Sequence, residues 1–358
     1  MRTGYIDYKG ARRISAATFE QWTRRLRPEY GDLLLAREAP VGPIIQIPMS
    51  ENIAPGQRTV LLRPDRGQIT STYLYYLLRS PDQQTRLLQK SGGSTVAHLN
   101  VADVRGFGLP TIPDLATQER ICSVLRAIDQ KIACNSEIIA NSDMLSALAF
   151  RSMSELSQHR PLSSMAEFIN GKAFTRNASG TGRVVVRIAE LNSGIGPSTI
   201  MSDALVPPQH LATKGDILFA WSGSLTLHRW YRDDAIINQH IFKVLPIGDT
   251  PNWLIFQLIN NKLRQFQDIA ADKATTMGHI QRKHLDDPVP VPRSTDIDRW
   301  DPLLSALWSR SLLAEVESEH LSKLRDLLLP QLVAGRLTVG NAEEHVGDLP
   351  TNVRKTGA

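Results

Sequence analysis

"LPTIPDLATQERICSVLRAIDQKI", Leu109 to Ile132, decides how this chain is read. Two prolines lead into a long periodic apolar run in the middle of 358 residues. Proline cannot donate to a ladder and disfavours helix just before it, so the crossing marks a boundary. Beyond it, Ile121, Val124, Leu125, Ile128, Ile132, Ile138, Ile139, Leu145 and Leu148 form one stripe, and a helix is expected from Thr117 to about Leu156. Thr117 is the expected cap, and Gln118-Glu119 suit the positive end of the dipole. Asn135 and Ser142 interrupt the stripe, and polar residues in an apolar seam fix register and partner. About forty residues would span ~60 Å. A one-faced helix of that length needs a partner.

The expected partner is a second run from about Trp300 to Pro330, with Leu304, Trp308, Leu312, Leu321, Leu324 and Leu328 as its face. Its middle, "AEVESEH" at 314–320, is more polar and weakens the match.

The chain repeats itself around the first helix. "GDLLLA" at 31–36 recurs as "GDILFA" at 215–220, and "QRTVLLRP" from Gln57 as "QHIFKVLP" from Gln239. "YLYYLL" at 73–78 aligns with "WLIFQL" at 253–258, and "STVAHL" at 94–99 with "TTMGHI" at 275–280, His98 opposite His279. Each copy then meets prolines, "LPTIP" and "PVPVP", before a long helical run. The Gly-Asp segments read as buried strands. "STYLYYLLRS" and "PNWLIFQLINNKLRQF" read as helices with Ser or Asn near the start. Two similar mixed α/β globules are therefore expected, with the two long helices antiparallel between them. The first helix is a spacer.

Formal charge is +5, in two blocks: +6 over 1–110 and +3 over 161–293, against −1 over 111–160 and −3 over 294–358. A polyanion contacted at two places suits this distribution. No apolar run is long enough for a membrane helix, "MRTGYIDYKGARR" lacks a signal-peptide stretch, and Cys122 and Cys134 cannot build a disulfide framework or a zinc site alone. A cytoplasmic protein is expected. The phosphate loop G-x-x-x-x-G-K-[ST] does not occur ("NGKAF" at 170–174 has only Gly-Lys), nor does a dinucleotide fingerprint, the Asn-Pro-Pro-aromatic sequence of an amino-methyltransferase, a common nuclease site or metal-ligand spacing among the nine histidines. No active site is read in the chain.

Two globules, two long antiparallel helices and no catalytic centre resemble the specificity (S) subunit of a type I restriction–modification enzyme, the HsdS family. The most specific stretch is "LPTIPDLATQERICSVLRAIDQKIACNSEI", with Gln118-Glu119, Ile121, Leu125, Ile128-Asp129, Ile132 and Asn135. The Gly-Asp strands, the Gln57 and Gln239 strands and "LRDLLLPQLVAGRL" also fit, so the resemblance covers about 1–338. It implies an α+β fold: target-recognition domain 1 over 1–110, a central spacer helix over 111–160, target-recognition domain 2 over 161–293, a second spacer helix over 294–338 and a disordered tail over 339–358, related by a pseudo-twofold repeat.

The resemblance also implies the function. Each domain would read one half of a bipartite site on double-stranded DNA. The family's conserved helices would set the gap and dock two methyltransferase (M) subunits, and restriction/motor (R) subunits would join. S-adenosylmethionine, ATP and Mg would belong to those partners; no cofactor is expected on this chain, and no membrane. The candidate DNA contacts follow the Gly-Asp strands (Arg37; Ser222, Ser224 and His228) or lie in the Thr-rich turns (Ser94, Thr95 and His98; Lys273, Thr275, Thr276 and His279).

Two departures stand out. Domain 2 has about fifty-five residues before its Gly-Asp pair and domain 1 about thirty, so counterparts of roughly 161–184 are expected to be missing. The second helix also lacks the Gln-Glu that opens the first. The alternative class is a coiled-coil scaffold with two protein-binding globules, separable by salt-sensitive DNA binding.

Overall fold

The computed structural model describes residues 6, 10–48, 52–92, 97–154, 157–176, 178–272 and 278–340. They form two compact units: residues 1–130 with 321–358, and residues 131–320. No helix among the described residues is long and apolar enough to cross a membrane.

In the first unit α1 (Ala16–Thr23) precedes β1 (Leu33–Arg37), β2 (Val41–Gln46) and β3 (Thr59–Leu62). The strands form an antiparallel sheet in the order β2-β1-β3. Leu33, Leu35 and Ile44 are buried, as are Tyr73, Leu74 and Leu77 of α2 (Ser71–Arg79), which packs against β2. Leu34, Ile45 and Ile47 make a small cluster with Ile6, Ile53 and Leu61. Pro81, with no N–H to continue a helix, separates α2 from α3 (Pro81–Lys90). A short α4 (Val101–Arg105) precedes α5 (Leu115–Ser154), one helix of 40 residues.

The second unit adds elements with no counterpart among the described residues of the first. They are β4 (Gln158–Pro161), β5 (Ala166–Asn170), β6 (Arg183–Val186), α6 (Ile188–Ser193), β7 (Met201–Ser202) and β8 (Leu211–Ala212). Then comes the shared kernel of β9 (Ile217–Ala220), β10 (Thr226–Arg229), β12 (Ile241–Pro246) and α7 (Asn252–Ala271), with β11 (Ala235–Ile237) inserted before β12, followed by β13 (Pro288–Val291) and α8 (Ser294–Val333). The kernel sheet runs β10-β9-β12-β5, a second sheet β7-β6-β11-β8, and β13 pairs β4. One face of the kernel sheet packs Phe219 and Phe242 with Trp253, Leu258 and Phe266 of α7. Leu218, Ala220 and Ile241 pack on Val186, Ala212 and Ile237 of the second sheet. The two units are thus similar in their kernels, and among the described residues the elements without a counterpart run past 184, to Ala212.

The Gly-Asp repeat has a physical cause. Gly31 and Gly215 turn at φ +88° and +95°, where a side chain is strained. The following Asp accepts the backbone N–H three residues back, Glu29 onto Asp32 at 2.9 Å and Thr213 onto Asp216 at 2.6 Å. Each Asp also holds a cation: Arg63 at 2.7 Å from Asp32, Lys243 at 2.7 Å from Asp216.

Both long helices have parts in each unit. In the second unit Asn135 Nδ2 donates to Glu317 Oε2 at 2.9 Å, and Ser311 Oγ to Asp143 at 3.2 Å, so numbering rises on α5 as it falls on α8. The helices are antiparallel there. In the first unit Arg325 donates to Asp129 at 2.9 Å. The polar middle of α8 is matched rather than weak: Glu315 holds Arg229, Glu317 holds Asn135 and Lys131, and Glu319 holds Arg232.

Three expectations need correction. α8 starts at Ser294, not Trp300, and runs through Pro302. Asp114, not Thr117, caps α5, accepting the Thr117 N–H at 2.9 Å; the backbone and hydroxyl hydrogens of Thr117 hold its carboxyl below the usual range. As expected, Ser71 opens α2, capped by Thr70, and Asn252 opens α7. Leu145 and Leu148 are 55% exposed, while Ser142, Ser146, Phe150 and Met153 are buried. The buried seam keeps its seven-residue repeat through polar residues, where hydrophobicity alone strays onto the outer face.

Gln118 is fully buried and does more than suit the dipole. It accepts the Thr70 N–H at 2.8 Å and donates to the carbonyls of Gln68 at 2.9 Å and Pro113 at 2.8 Å, tying α5 to α2. The second unit lacks the Gln but not the tie. Asp301 of α8 accepts the indole N–H of Trp253, in the first turn of α7, at 2.7 Å.

Candidate nucleic-acid interface

The strands of each kernel sheet end together, and at one end the loops repeat. An isolated bridge joins Glu38 to His98 in the first unit and Ser222 to His279 in the second. Leu99 N–H donates to Arg37 O at 2.9 Å, as Ile280 N–H does to Trp221 O at 3.1 Å. Arg37 N–H donates to Arg58 O, as Trp221 N–H does to His240 O. Each sheet therefore carries a rim built from the exit of one strand, the entry of another and a histidine turn.

The first rim is ionic. Arg37 donates to Gln57 O at 2.9 Å and Leu99 O at 3.2 Å and lies 3.1 Å from His98 Nε2. Glu38 stands 3.4 Å from His98 Nδ1 and 3.7 Å from Arg58. Gln57 and Arg58 are exposed. In the same unit α1 leads into exposed Arg24, Arg25 and Arg27, beside a Trp22 that is 56% exposed.

The second rim is aromatic. Trp221 stacks on Phe242 with centroids 5.7 Å apart and meets His240 at 5.1 Å and His279 at 6.4 Å. Its indole N–H donates to Asn170 Oδ1 at 2.8 Å. His240 has φ +74°, a strained conformation that surrounding contacts must hold. Exposed Asn170 and Lys172 flank Gly171, whose Cα lies so close to the Asn238 carbonyl that no side chain fits. Gln239 N–H donates to Lys172 O at 2.9 Å, holding this loop to the kernel.

Of the residues chosen from sequence, Arg37 and His98 meet in the first rim, and Ser222 and His279 in the second, with exposed Ser224 in the adjoining turn. Ser94, Thr95, Lys273, Thr275 and Thr276 lie outside the described residues. His228 is not at the rim. Opposite Leu218 in β10 it faces the second sheet, in a cavity of about 230 Å³ shared with α6, Tyr231 and Arg232. Burial, then the nearby Arg232 charge, lowers its pKa. Sequence reading missed Trp221, Asn170 and His240. Gln57 and Gln239 were visible only as repeat markers. "NGK" carried a usable signal, a Gly between two polar residues.

Residues 22–141 match the family model described as the type I restriction modification DNA specificity domain. The chain is 23% identical over 380 aligned residues to the type I restriction enzyme MjaIX specificity subunit of Methanocaldococcus jannaschii, covering 94% of this chain and 84% of that one. Its fold is similar to the crystal structure of the type I restriction–modification S subunit from M. genitalium, with a TM-score of 0.55 at 15% identity, covering 86% of this chain and 84% of the other.

Proposed function

We propose that this chain, a type I restriction–modification specificity subunit, reads a bipartite site on double-stranded DNA, one rim to each half-site. The repeated rim carries this reading. A polar end recurs on the same kernel in both units, with ionic chemistry on one and aromatic chemistry on the other. Arg, Asn and Gln side chains are the usual readers of base edges. The exposed arginines around α1 suit phosphate contacts, which position without specifying sequence.

The helices serve as spacer and as docking surface for two M subunits, with R subunits joining the assembly. In the second unit Met144, Leu145 and Leu148 on α5 and Leu303 and Leu313 on α8 are more than half exposed, an apolar surface of the kind that partners cover. S-adenosylmethionine, ATP and Mg belong to the partner subunits, so this chain alone transfers no methyl group and hydrolyses no ATP. The setting is cytoplasmic. Copurification with M subunits, followed by mapping of methylated adenines, tests the reading. A single bipartite motif, bound with strong salt dependence, is expected. Methyl transfer by the purified chain alone, or assembly without any DNA preference, would sink it.

A further inference from the structure

A buried charge stands at the far end of the outer strand of the second rim. β10 is an edge strand, with β9 on one side only. Its entry is the Ser222–Ser224 turn, and its last residue is Arg229, 5% exposed. The guanidinium donates to both carboxylate oxygens of Glu315 on α8, Nε at 2.8 Å and Nη2 at 3.1 Å. Nη2 also lies 3.4 Å from Asp143 on α5, and the group sits 4.5 Å over the Trp308 ring. One side chain at the end of the rim strand thus grips both long helices. Burial pushes the Glu315 carboxyl up, and Arg229 pulls against it.

The first unit meets its helices differently. There Asp129 on α5 accepts from Tyr76 of α2 at 2.8 Å and from Arg325 of α8 at 2.9 Å. That link runs to the helix layer under the sheet, and β2, the counterpart of β10, ends in Gln46.

Resting on the DNA-reading proposal, we infer that Arg229 is a positioning residue for the half-site read by the second unit. It holds β10 and the Ser222–Ser224 turn to the helix pair, so the rim meets the groove in one orientation. Base readout needs donors and acceptors placed to within fractions of an ångström, so loosening this strand costs discrimination before it costs the fold.

The test uses the complex reconstituted with its M subunits. Methyl transfer is compared on the mapped site and on sites with one base changed in either half. Ser224→Ala and His279→Ala first assign the half-site of the second unit. Arg229→Met, which keeps the packing on Trp308, should lower discrimination at that half-site about tenfold, the scale of one base contact. The other half-site should change less than about twofold. Arg229→Lys keeps the charge without the two-pronged bond and should show a smaller loss at the same half. Melting and M-subunit copurification check that each variant is folded; if Arg229→Met is not, Arg229→Lys decides alone. Unchanged discrimination, or equal loss at both halves, overturns the inference. A wild-type complex with no bipartite site overturns the DNA-reading proposal instead.

Discussion

The two units solve the same problems with different side chains. Asp32 and Asp216 both follow a left-handed Gly and hold a cation, yet Arg63 remains 30% exposed while Lys243 is 9% exposed. Gln118 and Asp301 both tie a long helix to the kernel, one through three neutral hydrogen bonds and the other through a charged one. Arg37 and Trp221 hold equivalent rim positions with opposite chemistry. What repeats is a backbone requirement; the residue meeting it is free to change.

The largest expected effect tests whether the helices join these units as a ruler. One heptad added to each, within 136–143 and 316–323, keeps the seam in phase. Each helix gains ~10.5 Å, about three base pairs at ~3.4 Å each. Selection from a library of every gap length should return both half-site sequences with the gap longer by that amount. Return of the original gap would show that other contacts set it.

Smaller is the contrast between these two carboxylates. Asp216→Ala strands a lysine with little access to water and should destabilise the second unit by about 3–5 kcal/mol. Asp32→Ala should cost about 1–3 kcal/mol, because Arg63 can turn toward water. Five of the six tryptophans lie in the second unit and Trp22 in the first, so denaturation followed by tryptophan emission reports mainly on the second. Circular dichroism covers both. Equal losses would break the contrast.

The helix ties differ less. Gln118→Ala leaves the Thr70 N–H and two carbonyls without their buried partner, an expected cost of about 2–3 kcal/mol. Asp301→Asn keeps an acceptor for Trp253 and should cost about 1 kcal/mol. Thermal melting of both variants orders them, and a costlier Asp301→Asn would mean that charge, not bond count, secures α8.

The smallest effect is in acid and belongs to the second unit. Burial opposes ionisation of Glu190, but Arg187 and backbone hydrogens outweigh it and hold the carboxyl below its ordinary 4.5. A depressed folded value stabilises above the unfolded value and is lost as pH falls through the folded one. The melting difference between wild type and Glu190→Gln should therefore be full near neutrality and shrink below pH 4.5. A difference that grows toward acid would reverse the assignment.

By itself the sequence determined the duplicated kernel and the two long helices. Their signals are local: a Gly-Asp turn, a proline crossing, a sustained helical period and an Asn in the seam. The resemblance to one family was legible for the same reason, since "LPTIPDLATQERICSVLRAIDQKI" carries it in one continuous stretch. Tertiary structure decided the rest. Asn170 joins Trp221 across 51 residues, and Arg229 finds Glu315 across 86. His228 leaves the rim because a second sheet packs on the face of β10 to which strand alternation assigns it. Gln118 became a clamp because the entry to α2 folds back to offer it an N–H and a carbonyl, beside the carbonyl of Pro113. Which residues a chain brings together over such separations depends on the face each element buries, and no local period encodes that.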